Sequence, residues 1–575
     1  MCGLTGFFAK DAKLGHAALH SICQTMTETI AHRGPDGSGV WQDPDVSLVL
    51  GHRRLSIIDL STEGAQPMAS ASERYVIAYN GEVYNYPALK IELERAGAVF
   101  RGGSDTEIIL AAIDHWGLKL ALGKLNGMFA FALWDRTERR LHLVRDRLGK
   151  KPLYVGWAGN ALVFASEMKA LRAHPNFAAE INRDALALYM NKACVPAPHS
   201  IYKGVWSLPA GHILSLDVQK LPSGSNLAAE MAPYWHHLDV LKEAQYRENR
   251  LNEQDSIEKF DSILTECVSD RLVSDVPLGA FLSGGIDSSA IVAIMQKISD
   301  QPVKTYSVGF EQQGFDEAPF AKNIAQHLGT DHHEMYLSGQ DALDVIPDLP
   351  DIYDEPFGDI SAIPTYLVSK FARGDVTVAL SGDGGDEMLG GYNRHFMGPV
   401  IKSRMKYMPQ FLRGGLAKFI EGTSTQRWDN MVKNQPQFGT RMHKLASILR
   451  LNSEEEIYDR LTSQWRDASV LDAEPAALLM DDPSYDASDL SFAEKMMYWD
   501  ALTYLPNDIL TKVDRASMAC GLECRAPLLD PRIYDFAWSL PEDYKIRRDK
   551  NGVQGKWILR QVLQKYVPAE LFERP

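Results

Sequence analysis

Residues 282–289 read LSGGIDSS, and this octapeptide stands between a strand-like run, Val276 to Leu282, and a helical pattern from Ser288 to Ile298. A second strand-like run, Val303 to Val308, follows the helix, so the segment forms a β-loop-α-β unit. Further elements of both kinds continue the series: a helical stretch near Ala318 to Leu328 and strands near Glu334 to Leu337 and Val376 to Leu380. We therefore expect a parallel sheet covered by helices, with ligands at the carboxyl ends of its strands.

The octapeptide itself has the features of a phosphate-binding loop. Gly284 and Gly285 allow the backbone to approach an anion closely, and the following helix directs its free N–H groups at the same place. Asp287 would repel phosphates unless a divalent cation lay between them, so we interpret it as a Mg²⁺ ligand. A serine-capped turn is the alternative for a bare Ser-Gly-Gly. No Gly-x-x-x-x-Gly-Lys-Ser/Thr motif is present, which argues against a Walker-type site.

The N-terminal part has a different sequence pattern. It contains short β-type runs separated by turn residues: Val46 to Leu50, Tyr75 to Tyr79, Met128 to Trp134, Leu141 to Val144 and Ala161 to Ala165. This pattern is typical of a largely antiparallel domain. Periodicity weakens between about Asp217 and Gln254, and residues 221–226 read LPSGSN. We therefore predict a first domain over residues 2–216, a linker over 217–254 and a second domain over 255–575.

Composition excludes several classes of protein. The net charge of −15 arises without long runs of either sign, so neither nucleic acid nor a membrane is an expected partner. Six scattered cysteines in 575 residues indicate reduced thiols and not a disulfide framework. No apolar stretch approaches the roughly 20 residues of a membrane helix, and the N-terminus lacks a secretory pattern. The cytoplasm is the expected compartment.

The octapeptide resembles the pyrophosphate loop of ATP pyrophosphatases, which split ATP between its α and β phosphates. Residues 381–387, SGDGGDE, with the Gly-Gly-Tyr of 390–392, resemble the second ATP loop of asparagine synthetases. KVDRASM at 512–518 and GLECRAP at 521–527 are similar to that family's signature. The resemblance implies an ATP site formed by the following residues: Leu282, Ser283, Gly284, Gly285, Asp287, Ser288, Ser289, Val308, Ser381 and Gly382.

The same resemblance implies roles for four side chains of this lobe. Asp287 and Asp386 would share Mg²⁺. Lys556, in GKWILR, would neutralise the departing pyrophosphate, a task that suits a compact cation. Asp383 stands where many members carry a glutamate that assists adenylate formation, and its shorter side chain is a departure from the family pattern.

Cys2 follows the initiator methionine directly. Removal of that methionine would leave an N-terminal cysteine whose α-amino group, with an ordinary pKa near ~8, could serve as the base for its own thiol. Four segments resemble, in order, the class II glutamine amidotransferase domain: HRGPD at 32–36, GHRRLSIID at 51–59, NGEVYN at 80–85 and GSDTE at 103–107. The fold that this implies is an αββα sandwich of antiparallel sheets, of the N-terminal-nucleophile type.

Each role in the glutamine site has a physical reason. Arg54 can pair with the α-carboxylate of glutamine, and Asp105 with its α-ammonium. The Asn80 side chain and the Gly81 N–H can stabilise a tetrahedral oxyanion, although Asn-Gly alone would indicate a hairpin turn. Further glutamine-binding residues are implied by the resemblance: Leu55, Ser56, Ile57, Ile58 and Glu82.

Together the halves predict a carbon-nitrogen ligase in which ammonia from glutamine attacks an adenylated carboxylate. Aspartate is the family's usual acceptor, and residues 354–365, DEPFGDISAIPT, form a loop suited to an acceptor pocket. The close alternative amidates a sugar acid in surface-polysaccharide synthesis. A plain glutaminase and a non-catalytic glutamine and nucleotide sensor are alternatives of other classes. The resemblance further implies a homodimer and residues beyond Pro575, whose loss would weaken the acceptor site.

Overall fold

The protein is described by a computed structural model, which covers residues 2–10, 15–245, 251–310, 317–432, 437–465, 471–473, 475–550 and 552–573. The elements of the N-terminal region are the strands β1 Gly3–Phe8, β2 Gly37–Gln42, β3 Leu48–Arg54, β4 Met68–Ala69, β5 Tyr75–Val83, β6 Gly127–Asp135, β7 Arg140–Arg145, β8 Tyr154–Ala158, β9 Ala161–Ala165, β10 Val205–Ser207, β11 His212–Asp217 and β12 Met231–Pro233, and the helices α1 His16–Glu28, α2 Tyr86–Arg95, α3 Asp105–Trp116, α4 Leu118–Lys124, α5 Met168–Arg172 and α6 Arg183–Lys192.

These strands form two antiparallel sheets, ordered β10-β8-β9-β1-β3-β2 and β12-β11-β7-β6-β5-β4 in the described residues. The inner faces share one core, in which Leu4 and Leu50 of the first sheet pack with Val76 and Ala130 of the second. Helices α1 and α5 cover the outside of the first sheet, and α2 and α3 cover the second. The predicted αββα sandwich is therefore confirmed.

The C-terminal region is built from the helices α7 His237–Gln245, α8 Glu253–Asp270, α9 Ile286–Ile298, α10 Ala318–Leu328, α11 Gly339–Val345, α12 Leu349–Tyr353, α13 Ala362–Arg373, α14 Gly385–Leu389, α15 Asn393–Met405, α16 Gln410–Glu421, α17 Thr425–Met431, α18 Phe438–Ile448, α19 Glu454–Thr462, α20 Phe492–Trp499, α21 Leu510–Ala519, α22 Pro531–Ser539, α23 Glu542–Lys545, α24 Trp557–Gln564 and α25 Ala569–Phe572, with the strands β13 Leu278–Phe281, β14 Lys304–Phe310, β15 Asp331–Leu337, β16 Val378–Leu380, β17 Glu523–Arg525, β18 Arg547–Asp549 and β19 Gly552–Gln554. A π-helical segment, Asp500–Ile509, joins α20 to α21.

The predicted parallel sheet is confirmed, with strand order β15-β14-β13-β16-β17. Helices α8, α9 and α10 pack on one face, and α13 contributes to the core on the other. From β13 the chain continues to β14 and β15 on one side, and it later adds β16 and β17 on the other side of β13. Where the direction of strand order changes in this way, a crevice opens at the carboxyl ends of the strands. The fifth strand, β17, is absent from the sequence prediction, because three residues are too few to show a period.

The described part of the predicted linker, 217–254, contains a short 3-10 helix, Leu227–Glu230, the strand β12 and the helix α7. Strand β12 pairs with β11 and so extends the second antiparallel sheet as far as Pro233. Helix α7 packs on α22 of the C-terminal region, where His237 Nδ1 and the Tyr534 hydroxyl lie 2.7 Å apart. Among the described helices, none has the length and apolarity required to cross a bilayer.

Candidate functional site

Cys2 lies at the start of β1, in the wall of a cavity between the two regions of the chain. Its side chain is buried, and its backbone N–H donates a hydrogen bond of 3.0 Å to Asn80 Oδ1 on β5. Burial raises the pKa of the Cys2 thiol. As the predicted nucleophile, this thiol would need a base to become a thiolate, since the thiolate is the reactive form.

Asn80 lies inside β5 and not in a hairpin turn, so the interpretation of Asn-Gly as a turn does not hold. Because its Oδ1 accepts from Cys2, the amide group Nδ2 points elsewhere; it is buried and has no hydrogen-bond partner among the described residues. Gly81 packs against the backbone of β6, and a Cβ there would clash with the Met128 carbonyl. A free, buried donor beside the nucleophile is what an oxyanion requires.

Two side chains of opposite charge line the same cavity. Arg54, at the end of β3, donates to the carbonyl groups of Ser61 (2.7 Å) and Asp59. Asp105, the first residue of α3, accepts from the Tyr79 hydroxyl at 2.8 Å and from the Val83 N–H at 2.9 Å. Both groups are fixed by the protein and face a common space, as recognition of a zwitterionic amino acid requires.

The cavity collects most of the predicted glutamine-site residues: Cys2, Arg54, Leu55, Ile57, Ile58, Gly81, Glu82 and Asp105. Ser56 and Asn80 do not line the cavity. The Ser56 N–H donates to Asp36 Oδ2 at 2.8 Å, and Asn80 lies directly behind the wall, bound to the Cys2 nitrogen. Sequence reasoning missed other lining residues: Gly64, Gln66, Tyr79, Ser104, Thr106 and Glu523. Of these, Ser104 could have been predicted from the sequence, because a serine directly before Asp105 is a typical N-cap and Ser104 does cap α3.

Glu523 is the unexpected member, since it comes from β17 of the C-terminal region. Arg525, two residues further on, binds Glu523 at 2.6 Å and also binds Glu82 of the N-terminal region. The carbonyl of Arg525 accepts from the Ser381 N–H at 2.8 Å. One short strand thus contacts both the Cys2 cavity and the second predicted ATP loop.

The first predicted ATP loop joins β13 to α9. Ser283 and Ser288 are bridged by their hydroxyl groups at 3.0 Å. Gly284 has a positive φ of 70° and lies so close to α10 that a Cβ would meet the Ala321 nitrogen at 2.7 Å. The Ser289 hydroxyl is buried without a hydrogen-bond partner in the part of the chain that the structure describes. The first turn of α9 therefore contains one hydroxyl donor, that of Ser289, which the described residues leave unpaired.

The second loop, residues 381–387, touches the first. A Cβ on Gly382 would lie 2.7 Å from the Ser288 nitrogen, and one on Gly385 would enter the Asp287 carboxylate. Ser381 Oγ donates to Asp383 Oδ2 at 2.7 Å. The structure therefore brings together the two loops that the sequence separates by about a hundred residues, and it places Val308 on the adjacent strand β14.

Lys556 stands between the two predicted metal ligands. Its Nζ binds Asp287 and lies 2.8 Å from Asp386 Oδ1. Lys556 has a left-handed backbone conformation with φ of 55°, which is costly for a residue with a side chain and is common at functional sites. Burial raises the pKa of the Asp287 carboxyl to about 6, although Lys556 opposes this shift.

A separate cavity of about 250 Å³ lies beside the predicted acceptor loop and is lined by Gly358, Asp359, Ile360, Tyr504 and Asp508, among others. Asp359 accepts from Lys512 Nζ at 2.5 Å. Burial and then Asp359 raise the pKa of Asp508 to about 7, and Asp508 Oδ1 is buried with no hydrogen-bond partner within the described ranges.

The cavity beside the predicted acceptor loop adjoins the predicted ATP loops through aromatic side chains. The rings of Tyr504 and Tyr392 meet edge to face, with centroids 5.6 Å apart. The Tyr392 hydroxyl donates to Glu387 Oε1 at 2.6 Å, and Glu387 follows Asp386 directly. The described residues thus form three neighbouring features: the cavity at Cys2, the pair of glycine-rich loops, and the cavity beside residues 354–365.

Comparison with known proteins identifies the families that the two regions of the chain match. The family model described as "Asparagine synthase" matches residues 259–575, and the model described as "Glutamine amidotransferase domain" matches residues 1–231. Together they cover both regions of the fold.

Individual relatives agree. The chain is 34% identical to asparagine synthetase [glutamine-hydrolyzing] 1 of Bacillus subtilis, across 100% of this chain and 86% of that protein. It is 33% identical to a putative asparagine synthetase [glutamine-hydrolyzing] of Mycobacterium bovis, with the same coverage. It is also 33% identical to asparagine synthetase B [glutamine-hydrolyzing] of Escherichia coli, across 70% of this chain and 66% of that protein. The chain therefore belongs to the glutamine-hydrolysing asparagine synthetase family.

Proposed function

We propose that this protein is a glutamine-dependent asparagine synthetase. Glutamine is hydrolysed to glutamate and ammonia at Cys2, ATP adenylates the side-chain carboxylate of aspartate with release of pyrophosphate, and ammonia displaces AMP to give asparagine. The observation that carries the proposal is strand β17, which supplies Glu523 to the Cys2 cavity and binds Ser381 of the ATP loops through the Arg525 carbonyl. A plain glutaminase has no need of such a connection.

At the glutamine site, the Cys2 thiol attacks the side-chain amide of glutamine. With the initiator methionine removed, the Cys2 nitrogen becomes an α-amino group, which takes the thiol proton and passes it to the departing ammonia. The hydrogen bond from this nitrogen to Asn80 Oδ1 fixes its position. The free Asn80 Nδ2 and the Gly81 N–H then stabilise the oxyanion, a contribution of about 3 kcal/mol for each donor.

At the ATP site, the backbone at Leu282, Val308 and Gly382 holds the AMP portion together with Ser381. Lys556 neutralises the departing pyrophosphate, and its position between two carboxylates keeps it aimed at the loops. Asp383, oriented by Ser381, assists formation of the adenylate. The serine hydroxyl groups at 283, 288 and 289 donate to the phosphates.

Asp287 and Asp386 are the residues that would hold Mg²⁺. The fit is chemical: Mg²⁺ prefers oxygen donors and is commonly bound by one or two carboxylates together with substrate phosphates. Asp287 Oδ1 is a buried carboxylate oxygen with no hydrogen-bond partner among the described residues, so a ligand position remains. When bound, the ion neutralises phosphate charge.

Aspartate is the acceptor that the 250 Å³ cavity favours. Asp508 lines the cavity and offers an unpartnered carboxylate oxygen to the α-ammonium group. A uronic acid has no cationic group and would leave Asp508 unpaired. All six cysteines are free thiols, which supports the cytoplasm as the compartment.

The test is pyrophosphate release with ATP, Mg²⁺ and glutamine in the presence of aspartate or of each of several uronic acids, with product identification by mass spectrometry. Aspartate-dependent pyrophosphate together with asparagine is the expected result. Amidation of a uronic acid, with no reaction of aspartate, would overturn the acceptor assignment and leave the two half-reactions standing. Glutaminase activity without pyrophosphate from any acid would overturn the synthetase assignment.

A further inference from the structure

Helix α16 turns apolar side chains toward solvent. Phe411, Gly415 and Phe419 follow one another at one-turn intervals along its outer side, and Phe411 is 76% and Phe419 66% exposed. The opposite side of the same helix buries Ala417 and Ile420. A surface helix of a globular protein normally directs one apolar stripe inward and a polar face outward. Apart from an edge-to-face contact between Phe419 and Trp428, with ring centroids 6.4 Å apart, this side of α16 is left open to solvent by the described residues.

This surface is contiguous. Tyr407, in the turn before α16, is 85% exposed, and Leu412 and Leu416 lie in the same outward sector. We call these five side chains the outer patch: Tyr407, Phe411, Leu412, Leu416 and Phe419. Single exposed apolar residues are ordinary, but a contiguous group rimmed by polar residues marks an interaction site.

The charge around the outer patch is opposite to that of the chain. Between Asn393 and Ile420 there are six Lys or Arg residues and no Asp or Glu, whereas the whole chain has a net charge of −15. Glu421, the last residue of α16, is paired with Arg450. Arg404, Lys406 and Lys418 are exposed and have no acidic partner within the described part of the chain. The acidic first turn of α19 lies nearby, but Glu454 is bound by Lys402 and Lys495 there.

A basic cleft adjoins the outer patch where α15 meets α16. Its volume is about 430 Å³, and Lys402, Lys406 and Arg413 line it together with Pro399 and Phe492. Lys402 is paired with Glu454 there and Arg413 donates to the Leu451 carbonyl at 2.8 Å, so Lys406 is the lining cation that the described residues leave for a lipid phosphate. The cleft and the outer patch are independent features, one of charge and one of apolar exposure, and they lie on the same pair of helices.

We propose that the outer patch binds the surface of a membrane that contains anionic phospholipid. The aromatic rings enter the head-group layer, and Arg404, Lys406 and Lys418 contact the lipid phosphates. A basic rim around aromatic and leucine side chains is the signature of a helix that lies in the interface plane. In protein interfaces, by contrast, lysine is depleted.

A second copy of the chain is a poorer occupant. A two-fold interface places the same surface on both subunits, so two outer patches would face each other with like charges, which opposes association. An anionic bilayer provides both the apolar layer and the opposite charge. It also explains how a chain with a net charge of −15 approaches such a surface, because it does so through the basic residues of α15 and α16.

Flotation of the full chain with vesicles tests the proposal. Vesicles of phosphatidylcholine alone are compared with vesicles of phosphatidylcholine and phosphatidylglycerol in equal amounts. Binding to the second and not to the first is expected, and it weakens as salt is raised. Replacing Arg404, Lys406 and Lys418 by glutamine reduces the partition coefficient roughly a hundredfold, at about fivefold for each basic residue. The double variant Phe411→Ser, Phe419→Ser likewise loses binding.

The matched control is Val99→Ser with Leu120→Ser, which removes two side chains that are 83% and 65% exposed on the N-terminal region. This variant keeps full vesicle binding, and all variants keep glutaminase activity as a check of folding. Absence of wild-type binding to either vesicle overturns the proposal. So does conversion of a wild-type dimer into a monomer by the Phe411→Ser, Phe419→Ser variant in sedimentation velocity, because the outer patch would then be a protein interface.

Discussion

Arg33 and Asp514, which are 481 positions apart in the sequence, form a bidentate ion pair of 2.9 and 3.2 Å between the N-terminal and C-terminal regions. Lys151 adds a third contact to the same carboxylate at 3.1 Å. Burial alone would raise the pKa of Asp514, but Arg33 and Lys151 together hold it well below its usual range. The carboxylate is therefore charged at neutral pH and bridges the two halves of the molecule.

Substitution of Asp514 by asparagine will strongly destabilise the protein. The change removes the carboxylate that pairs with buried Lys151 and leaves Arg33 with Glu167 as its acidic partner, and breaking a buried pair in this way typically costs about 3–5 kcal/mol. We expect a marked fall in the midpoint of thermal unfolding. The control is Asp459→Asn, which removes the exposed partner of Lys192 and should cost less than about 1 kcal/mol. Equal effects of the two substitutions would refute the interpretation of the buried bridge.

Substitution of Cys2 by alanine will separate the two half-reactions. Without the thiol, glutamine no longer supplies ammonia, so glutamine-dependent asparagine formation should fall by at least about a thousandfold. Asparagine formation with added ammonium chloride should remain within about twofold of the wild type, since the ATP loops are untouched. Loss of both activities would mean that Cys2 is needed for folding or for the synthetase step.

Substitution of Asn80 by alanine tests the oxyanion assignment at the same site. Removal of one donor of this kind costs about 10²–10³-fold in kcat. We expect that loss in glutaminase kcat with little change in KM for glutamine, because the donor acts on the transition state. A rise in KM at constant kcat would instead assign Asn80 to substrate binding.

Substitution of Lys556 by methionine will abolish pyrophosphate release and spare glutaminase activity. The ammonium group is the cation that contacts both Asp287 and Asp386, and methionine keeps the length of the side chain without its charge. Lys556→Arg is the matched variant, and it should recover little activity because a planar guanidinium does not replace a point charge. Normal pyrophosphate release by the methionine variant would exclude the assigned role.

The affinity for aspartate should depend on pH through Asp508. Its carboxyl has a pKa of about 7, raised by burial and by Asp359, so it is ionised above that pH and neutral below it. Only the ionised form pairs with an ammonium group. We therefore expect KM for aspartate to rise by about tenfold for each pH unit below 7, and Asp508→Asn should show a high KM without that dependence. An unchanged KM in the variant would remove Asp508 from the acceptor site.

Glu355 predicts a pH dependence of stability. Burial raises the pKa of its carboxyl to about 7, above a reference value of 4.5, even though Tyr154 and the Ile201 N–H donate to it. The folded protein therefore holds this proton more tightly than the unfolded chain, so its stabilising effect is lost as pH rises from about 4.5 to about 7. Glu355→Gln should unfold at a higher temperature than the wild type at pH 8, and the difference should vanish below about pH 4.5, where the wild-type carboxyl is protonated in both states.

The sequence by itself determined the local parts of both sites. A glycine-rich turn between a strand and a helix is readable because its causes lie within eight residues: backbone freedom at Gly284 and Gly285 and free N–H groups at the helix start. The alternation of the N-terminal strands likewise indicated an antiparallel domain, since a period of two requires no distant contact. The nucleophile Cys2 and the charged pair Arg54 and Asp105 followed from motif order, and the structure places all three around one cavity.

Tertiary structure alone decided which distant residues complete those sites. Glu523 reaches the Cys2 cavity only because β17 adds to the edge of the parallel sheet, and a three-residue strand has no period to recognise. The exposed side of α16 is a similar case. Phe411, Gly415 and Phe419 have the same spacing whether a helix buries them or exposes them, so a membrane partner could not be predicted from the spacing. The spacing of residues predicts which of them share a face of a helix. Whether that face contacts the protein core, solvent or a partner depends on tertiary packing.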